Sequence, residues 1–138
     1  MKMFKFITLL VLLLATVLSA AATDHKVVFD LTSDNQKIWE TLLNNVENVK
    51  KELGPNTKIE VVVHGNGIGL LLKRTDFQKS RMAKHSSDGV QYLACENTMK
   101  RKKVNKTDLY EYAGTVPAGL AEIIRKQQEG WSYVKIGH

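Results

Sequence analysis

The sequence predicts an α/β domain, a mostly parallel five-stranded sheet with helices on both faces. Three observations lead there. "HKVVFDL", "KIEVVVHG" and "GVQYLAC" are short, β-branched, apolar runs, the pattern of buried strands. Segments with helical spacing lie between them, and strands that alternate with helices pair in parallel. The length suits five strands in one domain of ordinary size.

The elements follow in order. The first strand is His25 to Leu31. After it, Ile38, Leu42, Leu43, Val46, Val49 and Leu53 form one apolar helical stripe. Ser33 or Asp34 is the expected cap, and Gly54-Pro55 the stop. The second strand is Lys58 to Gly65, running into a glycine-rich turn and a further apolar segment, "GNGIGLLL". Thr75 to Ser86 reads as a polar helix. "GVQYLAC" is the third strand, and a helix is expected to start within Glu96 to Lys103, capped by Asn97 or Thr98. "AGTVP" is a short strand stopped by Pro117. Ala118 to Gly130 is a helix with a glycine stop, and "WSYVKI" is the last strand. No internal repeat, linker or second domain is found.

The first 22 residues are set apart. Lys2 and Lys5 precede an apolar run, Ile7 to Leu18, and then small residues, the layout of a secretory signal peptide. The run is shorter than the ~20 residues that span a bilayer. Ala20 and Ala22 place cleavage before Thr23, and Ser19 with Ala21 allow it one residue earlier. The alternative is an uncleaved anchor. The expected mature domain, 23–138, is exported, with the periplasm as its expected location, and is not membrane-bound after cleavage. Without Lys2 and Lys5 it has 18 basic and 14 acidic residues, net +4. That balance does not by itself imply nucleic acid, which would need a wider basic patch with stacking aromatics.

Cys95 is the only cysteine, so no internal disulfide is available. In an exported chain it is buried, paired between chains, or a reactive thiol. It ends a strand, and ligands of open parallel sheets bind beyond the carboxyl ends of the strands. Asp30, His64 with Gly65, Cys95 and Pro117 all fall at such ends. A helix start after Cys95 favours a thiolate there, as do Lys100, Arg101, Lys102, Lys103 and Lys106, while Glu96 opposes it. The cationic run also reads simply as a solvated helix face. His64 is a possible base or partner for the sulfur, or a structural residue. Asp30 reads first as a cap of the first helix. Gly65, Gly67 and Gly69 match neither the dinucleotide fingerprint nor a P-loop. They read as a tight turn approaching a neighbour, or as N–H donors for a small anion. No histidine or cysteine pair has metal-ligand spacing, and no cofactor is expected.

"VVVHGNGIGLLL", "GVQYLACENTM" and "VPAGLAEIIRKQQEGWSYVKIG" together resemble the small exported members of the DsrE/DsrF-like sulfur-relay family. The resemblance implies a flavodoxin-like fold, usually in trimers or hexamers. It also implies a cysteine, here Cys95, that carries sulfur as a persulfide and passes it to a partner thiol. "EGWSYVKI" points to self-association independently, as an aromatic segment that one small domain does not fully bury. The expected function is therefore sulfur handling through Cys95, with a thiol-bearing donor or acceptor protein as partner. The competing reading is a non-catalytic oligomeric binding or assembly module in which Cys95 is packing. A less favoured third is an enzyme acting on a small anion at Gly65 to Gly69.

Overall fold

The computed structural model describes residues 24–137, so the signal-like segment and its cleavage site lie outside the described residues. The elements are β1 (Lys26–Leu31), α1 (Gln36–Leu53), β2 (Lys58–Val63), α2 (Lys79–Ser87), β3 (Gln91–Cys95), α3 (Glu96–Lys102), β4 (Ala113–Val116), α4 (Gly119–Gln128) and β5 (Ser132–Ile136). The strands form one sheet in the order β4-β3-β2-β1-β5, with every neighbouring pair parallel. The expected flavodoxin-like α/β fold is present.

The two faces are covered unequally, and the strand order explains why. From β1 to β4 the sheet grows in one direction, and right-handed crossovers then place each connection on the same face. There Phe29, Leu31, Val61 and Val63 meet Trp39, Leu42 and Leu43 of α1 and Met82 of α2 in the main core. Only the step from β4 to β5 runs back across the sheet, so among the described residues α4 takes the other face alone. Its core is small: Val28, Val62 and Ile123, with Trp131 against them. A buried ion pair supplements it, Lys126 Nζ lying 3.2 Å from Glu60 Oε2 and 4.7 Å above the Trp131 ring.

Several local expectations are corrected. Asn35, not Ser33 or Asp34, caps α1, its Oδ1 accepting from the Lys37 N–H at 2.9 Å. Ser33 serves instead through its carbonyl, which accepts from Trp39 Nε1 at 2.7 Å. The polar helix begins at Lys79 rather than Thr75, because a 3₁₀ turn at Lys73–Thr75 and left-handed residues Asp76 and Gln78 intervene. "GNGIGLL" is a 3₁₀ helix, Gly65–Leu71, that buries Ile68, Leu70 and Leu71 in the main core.

Candidate functional site

The connection after β3 leaves toward the main core, where Met99 of α3 packs. The connection after β4 leaves toward the opposite face, where Ile123 of α4 packs. The connections that leave the carboxyl ends of β3 and β4 therefore diverge and open a crevice between them, the usual place for a ligand in such sheets. A pocket of about 430 Å³ lies there, walled by His64, Cys95, Thr98, Lys100, Arg101 and Leu120.

Cys95 closes β3 and occupies the cap position of α3, which starts at Glu96. Asn97 and Thr98 thus lie in the first turn and do not cap it. The Asn97 N–H donates to the Pro117 carbonyl at 3.3 Å, which ties the ends of β3 and β4 together. Cys95 Sγ accepts from the N–H of Gly119, the first residue of α4, at 3.2 Å. Residue 119 has little room for anything but glycine. A Cβ there would sit 3.2 Å from Cys95 Cβ, 3.2 Å from Val62 Cγ1 and 3.3 Å from His64 Cβ.

Cys95 is only 5% exposed, at the floor of the pocket. Burial pushes the thiol pKa up. The Gly119 N–H, the Thr98 N–H and hydroxyl, and the Asn97 N–H together outweigh it, and the net shift is downward. Thr98 Oγ1 accepts from the Gly65 N–H at 3.0 Å, which leaves the hydroxyl proton free for the sulfur. Glu96, expected to oppose the thiolate, is turned to the Thr115 hydroxyl at 2.7 Å and does not line the pocket.

Asp30 does not cap α1. It lies one strand from His64 and 2.8 Å from it, Oδ1 to Nε2. Its other oxygen accepts from the Tyr133 hydroxyl at 2.8 Å and the Lys135 ammonium at 3.2 Å. Burial would raise the Asp30 pKa; the His64 and Tyr133 bonds and the Lys135 charge hold it below its ordinary value. The carboxylate is ionised at neutral pH and can only accept, so His64 donates Nε2–H to it.

The structure thus brings Asp30, His64 and Cys95 to one edge. It does not assemble the glycines into an anion cradle. The Gly65 N–H is taken by Thr98 and the Gly67 N–H by the His64 carbonyl at 3.1 Å. A Cβ on Gly67 would lie 2.7 Å from the Leu31 carbonyl oxygen, so this glycine serves close packing. Sequence reasoning missed Gly119, Tyr133 and Lys135. The only available sign of Gly119 was a glycine opening a helix straight after a strand end, "VPAG".

Fold and site together define a flavodoxin-like α/β protein with one cysteine in the strand-end crevice. The chain belongs to the DsrE/DsrF-like family, which it matches over residues 12–136. It is similar to a solved protein of unknown function from Methanobacterium thermoautotrophicum, at 30% identity and a TM-score of 0.77, covering 81% of this chain and 99% of that one. A solved protein of unknown function from Bacteroides thetaiotaomicron shares the fold at 18% identity and a TM-score of 0.67, covering 86% of this chain and 100% of that one. No curated protein matches the sequence significantly. At the coarse level the family suggests sulfur relay.

Proposed function

We propose that this protein carries sulfane sulfur as a persulfide on Cys95. The observation that carries the reading is a thiol of lowered pKa at the floor of an open pocket that His64 also lines. A thiolate is the attacking form, and a pKa nearer ambient pH raises its population without losing much nucleophilicity. The donor is a persulfide, R–S–SH. Cys95 Sγ attacks its outer sulfur, the new S–S bond of Cys–S–SH forms, the donor's own S–S bond breaks, and R–S⁻ leaves with that bond's electron pair. The proton that Cys95 gives up to become the attacking thiolate ends on the leaving thiolate, and His64, in the same pocket, is the side chain placed to relay it. Asp30 positions His64 for this exchange. Delivery to an acceptor thiol is the same step in reverse, with Cys95 as leaving group.

Intact mass of the protein after exposure to a persulfide tests the reading. The wild-type chain should gain one sulfur atom and lose it to added thiol. Cys95→Ser should stay folded and gain none. A wild-type chain that gains no sulfur, with slow thiol labelling that speeds up only on unfolding, would return Cys95 to a packing role.

We also propose that the chain self-associates. On α4, Leu120 is 63% and Ile124 48% exposed, one turn apart, beside the half-bare sheet face. In the Trp131–Tyr133 segment Trp131 packs on the sheet, while Tyr133 stays 42% exposed although its hydroxyl bonds Asp30.

A further inference from the structure

The pocket has a charge pattern that the sulfur-carrier reading does not require. Lys100 and Arg101 line it, and no carboxylate does. Among the described residues neither cation is paired with an acidic side chain. Arg101 reaches only the Thr98 hydroxyl, at a long 3.5 Å. Both nearby carboxylates are engaged elsewhere, Glu96 with Thr115 and Asp30 beneath His64. A neighbouring cation, Lys102, is anchored to Asn66 Oδ1 at 2.9 Å. The two free cations therefore stand at the wall of a pocket whose floor is a sulfur.

Size and shape narrow the ligand. The volume of about 430 Å³ falls within the ~300–1,000 Å³ typical of small-molecule pockets. Cys95 is nearly buried, so only a slender group reaches its sulfur. Leu120 offers an exposed apolar wall beside it. A terminal –S–SH on a short carbon chain meets the first requirement, its methylenes meet the second, and a carboxylate at the far end meets the two cations.

Resting on the sulfur-carrier reading, we infer that the donor or acceptor at this site is a low-molecular-weight thiol compound bearing a carboxylate. Lys100 and Arg101 select it by charge. They attract the tail, and they offset the repulsion between an anionic ligand and the Cys95 thiolate. The sulfur step is the one above: the Cys95 S–S bond forms, the ligand's own S–S bond breaks, and its thiol leaves with one proton.

The test uses the persulfides of 3-mercaptopropionate, 2-mercaptoethanol and cysteamine, which have short chains and tails of charge −1, 0 and +1. Sulfur uptake by Cys95 is followed by intact mass at low and high salt. The expected rates fall in that order, about tenfold or more between the first and last at low salt, and the spread narrows as salt screens the cations. Replacing both cations, Lys100→Gln with Arg101→Gln, should collapse the order. Labelling of the variant by a neutral alkylating reagent reports that the thiol is still presented. Equal rates for the three persulfides overturn the inference but leave the carrier reading standing. So does an order that survives the double variant, or loading only by a persulfidated protein. Loading by no donor of any kind overturns both.

Discussion

Gly119→Ala asks whether the first N–H of α4 sets the reactivity of Cys95. Helix propensity alone favours alanine over glycine by up to ~1 kcal/mol. Packing opposes it, since the new methyl would lie 3.2–3.3 Å from Cys95, Val62 and His64. Carbon pairs prefer ~3.5–4.0 Å, so the start of α4 must lift away from β2 and β3 by several tenths of an ångström. The 3.2 Å bond from the Gly119 N–H to Cys95 Sγ lengthens with it. A hydrogen bond to a charged group is worth ~1.5–3 kcal/mol, and losing half of that removes ~0.75–1.5 kcal/mol of thiolate stabilisation, which raises the thiol pKa. The assay is the rate of alkylation by a neutral haloacetamide across pH on the folded protein, beside its melting curve. The expected result is a higher midpoint with the fold retained. A folded variant with an unchanged midpoint would refute the reasoning. So would a lower plateau rate at the same midpoint, which reports blocked access and not a changed thiol.

Other outcomes follow from the same geometry. Glu60 is 1% exposed, its Oε1 has no partner, and burial, opposed by Lys126 and reinforced by Glu122, raises its pKa. A raised folded pKa means stability present at low pH and lost as pH climbs from the ordinary glutamate value of ~4.3 through the folded one. The melting temperature of Glu60→Gln minus that of the wild type should therefore grow with pH across that window, and a constant difference would contradict this. Light scattering at micromolar concentration should find an oligomer, reduced to monomer by Ile124→Glu; a wild-type monomer would dismiss the α4 face as an interface. Mass spectrometry of protein recovered from its native host should give an N-terminus at Thr23, or at Ala22 in the alternative register, and an intact Met1 would contradict export.

The fold was legible because its strands are buried on both sides. Val27 to Leu31 and Ile59 to Val63 have no exposed residue, and so read as unbroken apolar runs. α1 announced itself by the spacing of Leu42, Leu43 and Val46 under one face. The strand ends were legible too, which is why Asp30, His64 and Cys95 could be named together. Their partners were not. Asp30 pairs with residues 34 and 103 or more positions away, through a register that no local pattern reveals. Cap assignments failed for a related reason: Ser33, Asp34 and Asn35 are all competent caps, and the Trp39 indole bond to the Ser33 carbonyl decides among them. The burial of Cys95 depends on how far α4 closes over β3, a tertiary distance absent from the sequence.

The reversal of the chain after β4 links these features. It sends the connections after β3 and β4 to opposite faces, and so makes the crevice. It also leaves α4 as the only helix on its face among the described residues, resting on Val28 and Val62 with a small apolar contact. So small a contact places weight on the polar anchors at either end of the helix. At one end Lys126 reaches the buried Glu60 and stacks on Trp131. At the other the Gly119 N–H meets the Cys95 sulfur. Both Glu60 and His64 come from β2 and the residue after it, so the strand that anchors the helix also carries the histidine of the pocket. The thiol's acidity is then a property of how α4 is docked. A change at Glu60 should be felt at Cys95 although the two side chains do not touch, whereas a change at His85 should not. His85 lies on the opposite face, bonded to Tyr92 and Glu47, and bears only on how α2 packs. Alkylation midpoints of Glu60→Gln and His85→Gln, measured side by side, should shift for the first and stay for the second; the reverse pattern would break the link between helix docking and thiol chemistry.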